Sequence, residues 1–512
     1  MATGLLRGVA ERGVLAWRGI PYAAAPVGAL RFRAPEPAKP WVGVRDASVF
    51  GPVAPQLHRG QFIGAHPRIP QNEDCLGLSV LAPDAPIDQD ALRPVMVFIH
   101  GGAYSVGSSR EVPRQGEGLV RRGGVIYVSL NYRLGALGYL DFTRYSTPER
   151  PFVSNLGLRD QVAALQWVHD NIRAFGGDPD AVTLFGESAG GNAVTTLMTV
   201  PAAAGLFQRA IVQSAPPNAV YPPWLTAQWA GDFVEILGEL VAGGASGADG
   251  GAEATPTPAE AVSLLLDSDP ARLAAATAIL TSRAPDAYPG TIPLCPVIDG
   301  DFLPERPLDA FRDGRAHQVP MIIGTNEREG SLFSGRIDIL ASTPPRIRAI
   351  FKKTKKKARK ALKAHYPGLP EQRAALDFGG DYSFWYPSVR VGERHSRYAP
   401  VHFYRFDAAP RLVRRMGLDA THGLEMFPLF DRLDGWLGRG MTVLGGRRTF
   451  QEIGSRMQRW WIDFATTGVP DVAWPRYDET DRRTLIIDAV DRVESDPLGE
   501  RRRAWGAFVP HV

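Results

Sequence analysis

Hydrophobic positions along this chain follow two rhythms. Short runs that are apolar at nearly every position lie at 95–100, 125–130, 182–185, 210–213, 321–324 and 401–406. Runs of that kind, rich in Val, Ile and Phe, predict strands buried on both faces. Elsewhere the period changes: Val162, Leu165, Trp167, Val168 and Ile172 fall close to one stripe, which predicts a helix over 158–172. Gly176-Gly177-Asp178-Pro179 then stops it. A second helix is expected at 192–199. Strands alternating with helices predict an α/β architecture, with a mostly parallel central sheet covered by helices on both faces.

Two long intervals, 216–290 and 335–400, read as helical insertions into a single catalytic domain spanning 1–512. The first contains 242–258 (AGGASGADGGAEATPTP), whose small residues and prolines predict a flexible surface loop. The second is basic. Seven of the chain's eight lysines fall between Lys352 and Lys363, and Ile347, Phe351, Ala358, Leu362 and Tyr366 recur on one face, so one amphipathic helix is expected there.

Composition narrows the class. Hydrophobic residues at 44% and charged residues at 22% suit an ordinary globular core. No run approaches the roughly 18 apolar residues of a membrane span, and the first residues lack the apolar stretch of a signal peptide. Cys75 and Cys295 form neither a disulfide framework nor a metal-ligand spacing. The expectation is a soluble, reduced, cytoplasmic protein, a monomer or small homo-oligomer. Basic residues outnumber acidic ones by 58 to 54, but 346–363 holds ten Lys/Arg and no Asp/Glu, leaving 48 basic against 54 acidic elsewhere. The body is thus mildly acidic. Without interleaved aromatics the basic run does not suggest nucleic acid; it reads as a solvated helix or as a contact with an anionic surface.

The candidate chemistry centres on Gly186-Glu187-Ser188-Ala189-Gly190, which follows the 182–185 strand and precedes the 192–199 helix. Small residues on both sides let a serine occupy a sharp strand-to-helix turn with its hydroxyl exposed, a nucleophile elbow. A serine hydroxyl is nearly inert at neutral pH and needs a base, and the base needs an orienting acid. In chain order serine, acid, histidine, the base candidate is His422, in Ala420-Thr421-His422-Gly423-Leu424 after the 401–406 strand. His317, His365, His395 and His402 read as surface or structural. For the acid, Glu327 and Glu329 both follow the 321–324 strand, and spacing does not choose between them. Gly101-Gly102-Ala103 after the 95–100 strand supplies backbone that a substrate can approach closely. Aromatic residues that could wall a substrate pocket are Tyr104, Tyr221, Trp224, Trp229, Phe333, Tyr382, Phe384, Trp385 and Tyr386. Glu187 reads as an orienter of loops. Ser214 is either a hydrogen-bonding support behind the serine or a plain strand-end residue. This chemistry calls for no metal and no organic cofactor.

Over nearly its whole length the chain resembles the type-B carboxylesterases. The resemblance is carried by Arg18-Gly19-Ile20-Pro21-Tyr22-Ala23, Glu73-Asp74-Cys75-Leu76, His100-Gly101-Gly102-Ala103-Tyr104, Asn131-Tyr132-Arg133-Leu134-Gly135, Phe175-Gly176-Gly177-Asp178-Pro179 and the elbow. It implies an α/β-hydrolase fold, a Ser188–Glu329–His422 triad, oxyanion donors at Gly102, Ala103 and Ala189, and an ion pair between Glu73 and Arg133. The family usually has Asp before the acid, where this chain has Arg328, so Glu327 stays a minor alternative. The segment 56–75 lacks the tryptophan and second cysteine of cholinesterases, which points away from choline esters and leaves Cys75 a free thiol. The implied activity is hydrolysis of small to medium apolar or aromatic esters. Amide or carbamate cleavage and lipolysis share the chemistry, and serine-less relatives that act in adhesion mark the non-enzymatic rival.

Overall fold

A computed structural model describes residues 3–57, 64–66, 68–110, 115–243, 256–335 and 338–508. Eleven strands form one sheet: β1 (Val9–Glu11), β2 (Val14–Pro21), β3 (Gly77–Pro83), β4 (Arg93–Ile99), β5 (Ile126–Leu130), β6 (Gly177–Glu187), β7 (Arg209–Gln213), β8 (Met321–Asn326), β9 (Val401–Phe406), β10 (Arg483–Ile487) and β11 (Arg492–Ser495). Their spatial order is β11-β10-β9-β8-β7-β6-β4-β5-β3-β2-β1. The run from β5 through β4 and β6 to β10 is parallel, and the strands beyond either end are antiparallel.

Alternation along the central strands sorts side chains into two cores. Val95, Val97, Ile99, Leu184 and Val212 join α1 (Leu156–Asn171) on one face. Met96, Phe98, Phe185, Ile211 and Ile322 join Ile453, Met457 and Trp461 of a long helix, Arg447–Thr467, on the other. Burial on both faces is why these strands lack a polar alternation in sequence.

All six predicted strands form, with ends shifted by a few residues. The 158–172 helix is α1, and the elbow helix is α2 (Ala189–Leu197). The interval 216–290 contains α3 (Pro223–Val241), α4 (Pro258–Asp267) and α5 (Pro270–Ala287). Of the loop expected at 242–258, residues 244–255 lie outside the described residues. The basic segment differs from expectation: it is two helices, α6 (Pro344–Lys352) and α7 (Lys356–Lys363), with Lys355 extended between them. Ile347, Phe351, Ala358, Leu362 and Tyr366 are all buried nonetheless. The break at Lys355 lets each short helix bury its own apolar positions. Among the described residues no helix is long and apolar enough to cross a membrane.

The expected Glu73–Arg133 pair is corrected by the structure. Glu73 meets Arg31, and Arg133 instead binds Asp160 of α1 through Nη2 at 2.6 Å and Nε at 2.8 Å. Asp160 is fully buried and needs a counter-charge, while Glu73, also buried, has Arg31 as its own. Cys75 and Cys295 are free, buried thiols.

Candidate active site

β6 ends at Glu187, and Ser188 turns the chain into α2 with φ 58° and ψ −122°. A left-handed serine is a strained conformation held by its surroundings. Glycine on either side makes it possible: a Cβ on Gly190 would sit 2.1 Å from the Ile99 carbonyl oxygen, and one on Gly186 would sit 2.6 Å from that of Gly190. The Ser188 N–H donates to the Gln213 carbonyl at 2.9 Å, fixing the elbow to β7.

Three segments far apart in sequence meet above this turn. Ser188 Oγ lies 2.9 Å from His422 Nε2, and His422 Nδ1 lies 2.5 Å from Glu329 Oε2. Because a carboxylate only accepts, Nδ1 carries the proton toward Glu329 and the neutral ring leaves Nε2 free to accept from the serine hydroxyl. The second oxygen of Glu329 accepts the Asn326 N–H at 2.6 Å. Of the two candidate acids, then, Glu329 meets the imidazole. Glu327 is exposed instead, near Asp407, Arg414 and Asp419, and its pKa is raised by partial desolvation and then by Asp407.

The turn bearing Glu329 and the loop bearing His422 are stitched together. The Arg328 N–H donates to the Ala420 carbonyl, Asn326 Nδ2 to the Thr421 carbonyl at 2.7 Å, and Ser331 Oγ to the Leu418 carbonyl at 2.6 Å. Arg328 pairs with Asp377 at 2.8 Å and Asp419 at 3.0 Å. The residue that departs from the family pattern therefore has its own local acids.

Sequence reasoning missed two carboxylates here. Glu187 Oε1 is 3.4 Å from His422 Nε2, on the serine side of the ring, and its carboxylate also lies against Gly101 and Gly423 of the two flanking loops. Glu425 is fully buried beneath, bound by Asn326 Nδ2 at 2.6 Å and by Gln213 Nε2 at 3.4 Å. Burial, followed by the charge of Glu329, raises the Glu425 pKa. For His422 burial pushes the pKa down, but Glu329 and Glu187 outweigh it and raise it to about 9. The signal for Glu425 was its place three residues after His422 in a turn. Ser214 Oγ finds no hydrogen-bond partner among the described residues, which is the plain strand-end outcome.

The Gly102-Ala103-Tyr104 turn runs entirely at positive φ, with 106°, 52° and 55°. Among the described residues the N–H groups of Gly102, Ala103 and Ala189 make no hydrogen bond, Ala189 because it opens α2. Beside this turn lies a cavity of about 500 Å³. Its walls include Val106, Leu134 and Leu137, with a stripe of α5 comprising Leu273, Ala274, Thr277, Ala278, Thr281 and Ser282. Those α5 positions follow helical spacing, a signal legible in principle but masked by their small, mixed chemistry. Asp338 and Arg346 make the cavity's charged end.

The proposed wall residues divide. Phe333 and Phe384 pack on the imidazole, with ring centroids 5.1 and 4.5 Å from it. Tyr104 is buried below the turn, stacked on Tyr139 at 3.8 Å and donating to Asn192 Oδ1 at 2.7 Å. Trp385 lines a separate recess with Val389, Phe403 and Tyr477. Trp224 is 71% exposed in the first turn of α3 and touches no part of the cavity, because the buried stripe of that helix runs through Leu225, Trp229 and Phe233 instead. Tyr221, Trp229 and Tyr382 are core. Among the described residues no group of three or more His, Cys, Asp or Glu could hold a metal ion.

The model of the carboxylesterase family matches residues 1–505. The para-nitrobenzyl esterase of Bacillus subtilis (strain 168) is 37% identical over 503 residues, covering 98% of this chain and 96% of that protein. The acetylcholinesterase of Bungarus fasciatus is 33% identical, covering 100% of this chain and 86% of that one. A solved PNB esterase superposes with a TM-score of 0.83 at 35% identity, covering 99% and 98% of the two chains. The architecture is that of the α/β-hydrolase fold.

Proposed function

The chain belongs to the carboxylesterase family and is an ester hydrolase, and from that premise we propose that it cleaves small to medium apolar or aromatic esters through an acyl-enzyme on Ser188. The observation that carries the reading is the continuous contact from Ser188 Oγ to His422 Nε2 at 2.9 Å and from His422 Nδ1 to Glu329 at 2.5 Å.

In this mechanism neutral His422 takes the serine proton as Oγ attacks the ester carbonyl. The imidazolium so formed is held by Glu329, and it returns the proton to the departing alcohol. The developing oxyanion is received by the N–H groups of Gly102, Ala103 and Ala189. Preorganised donors of that kind are usually the largest single contribution to such a reaction. Water then enters, His422 takes one of its protons as the water oxygen bonds the acyl carbon, the bond to Ser188 Oγ breaks, and the proton passes back to Oγ as the acid leaves. The apolar walls Val106, Leu134, Leu137 and Leu273 favour uncharged acyl or alcohol groups.

The test is Ser188→Ala. Its turnover of p-nitrophenyl butyrate should fall by about four orders of magnitude or more, and it should no longer take up a fluorophosphonate label. A variant that keeps most of its activity, or that labels as the parent does, defeats the proposal.

A further inference from the structure

The excess of positive over negative charge in this protein is concentrated in one segment, 346–363. All seven lysines from Lys352 to Lys363 are exposed, along with Arg348. Among the described residues none of the seven lies in an ion pair, although arginines across the molecule pair widely, as Arg133, Arg328, Arg346 and Arg456 do. Lys363 spends part of its charge over the Phe351 ring at 5.3 Å. No Asp or Glu occurs between Arg346 and Lys363, and the rest of the chain carries 48 basic against 54 acidic residues. The molecule is therefore a cationic pole on an anionic body.

The patch is also rigid and sits at the cavity. Ile347, Ile350 and Phe351 of α6 and Ala358 and Leu362 of α7 are buried against the body, so these helices cannot roll over to insert an apolar face into anything. Arg346, in the first turn of α6, lines the cavity, where it is held by Asp286 at 2.7 Å and Asp338 at 2.9 Å. Lys352 follows it by six residues, about 9 Å along the helix.

We propose that the Lys352–Lys363 face docks the enzyme onto anionic lipid bilayers, with the ester-binding cavity turned toward that surface. Adsorption is electrostatic and without penetration, because no large apolar side chain is exposed on α6 or α7. It is also oriented, since the acidic remainder of the body is repelled by the same surface. A bilayer fits better than nucleic acid: the charge is mostly flexible lysine, no exposed aromatic on either helix offers a stacking platform, and the adjoining cavity is built for uncharged esters that partition into lipid. The orientation rests on the esterase reading, whereas the docking does not.

The experiment compares three proteins: the parent, a variant with the seven lysines changed to Gln, and one with the same seven changed to Arg. Each is sedimented with phosphatidylglycerol/phosphatidylcholine vesicles and with pure phosphatidylcholine vesicles at low and high salt. The parent and the Arg variant should bind the anionic vesicles alone, at least about tenfold more weakly at 0.5 M than at 0.05 M salt. The Gln variant should lose about tenfold or more of that binding. Turnover of soluble p-nitrophenyl acetate should be the same in all three, which separates failure of docking from failure of the esterase reading. Anionic-vesicle binding that is absent in the parent, equal in the Gln variant, or replaced by binding to a DNA duplex alone overturns the proposal.

Discussion

Arg328 meets Asp419 at 3.0 Å, and that pair fastens the turn carrying Glu329 to the loop carrying His422. The 2.5 Å contact between those two side chains depends on both backbones holding their places, and misplacement on the order of 1 Å can cost about a hundredfold in rate.

Arg328→Met removes two partly buried pairs, with Asp377 and Asp419, and leaves Asp419 only its more exposed pair with Arg373. We expect kcat on p-nitrophenyl butyrate to fall about tenfold or more while KM stays nearly constant, because the loss is in positioning the base and not in holding the ester. A KM rise with kcat unchanged would place Arg328 in substrate binding instead.

The pH dependence should be displaced from that of ordinary imidazole. Catalysis needs neutral His422, and its pKa of about 9 lies above the usual 6.5. kcat/KM should therefore climb through the mildly alkaline range, with a midpoint nearer 9 than 6.5. Glu187→Gln should move that midpoint down by removing one of the three carboxylates, Glu329, Glu187 and Glu425, that raise it. The stability linkage has the opposite sense: protonation of His422 contributes stability that is complete below 6.5 and is lost as pH rises through about 9. Turnover profiles and thermal melts on the two proteins check both parts.

Arg133→Met strands the fully buried Asp160 without a counter-charge. Breaking such a pair costs about 3–5 kcal/mol, measurable as a drop in the denaturant midpoint. Asp160→Asn in the Arg133→Met background should recover part of it. Additive losses would show that the two side chains do not act as a pair.

Ala278→Phe projects a large ring from α5 into the cavity. Turnover of p-nitrophenyl octanoate should fall about tenfold or more, with the acetate changed by about threefold at most. Equal losses on both esters would mean that the cavity does not receive the longer chain.

Much of this geometry could be read from residues alone, and the reasons are physical. Central strands such as 95–99 and 321–323 announce themselves because burial on both faces disfavours polar interruption. The elbow is legible because few residues other than glycine fit at 186 and 190, where a Cβ would meet backbone oxygen. The edge strands β1 and β11 were not read, being short and half-polar, and neither were β2, β3 and β10 just inside them. Pairing partners were less legible still. Asp160 rather than Glu73 meets Arg133, which depends on how α1 packs. Glu187 reaches His422, and Glu425 reaches Asn326 beneath it, through turns that no periodicity describes. Among aromatics, nothing in sequence separates Phe384, which covers the imidazole, from Trp224, which faces water.

The three groups at 188, 329 and 422 come from the ends of β6 and β8 and from the loop after β9, with β7 lying between β6 and β8. None is local to another, so the chain must close loops of more than ninety residues before the hydroxyl meets its base. Contacts of such long sequence separation form slowly and late. Regain of turnover during refolding should accordingly trail the return of helical signal, which makes ester cleavage itself a clock for the last steps of assembly.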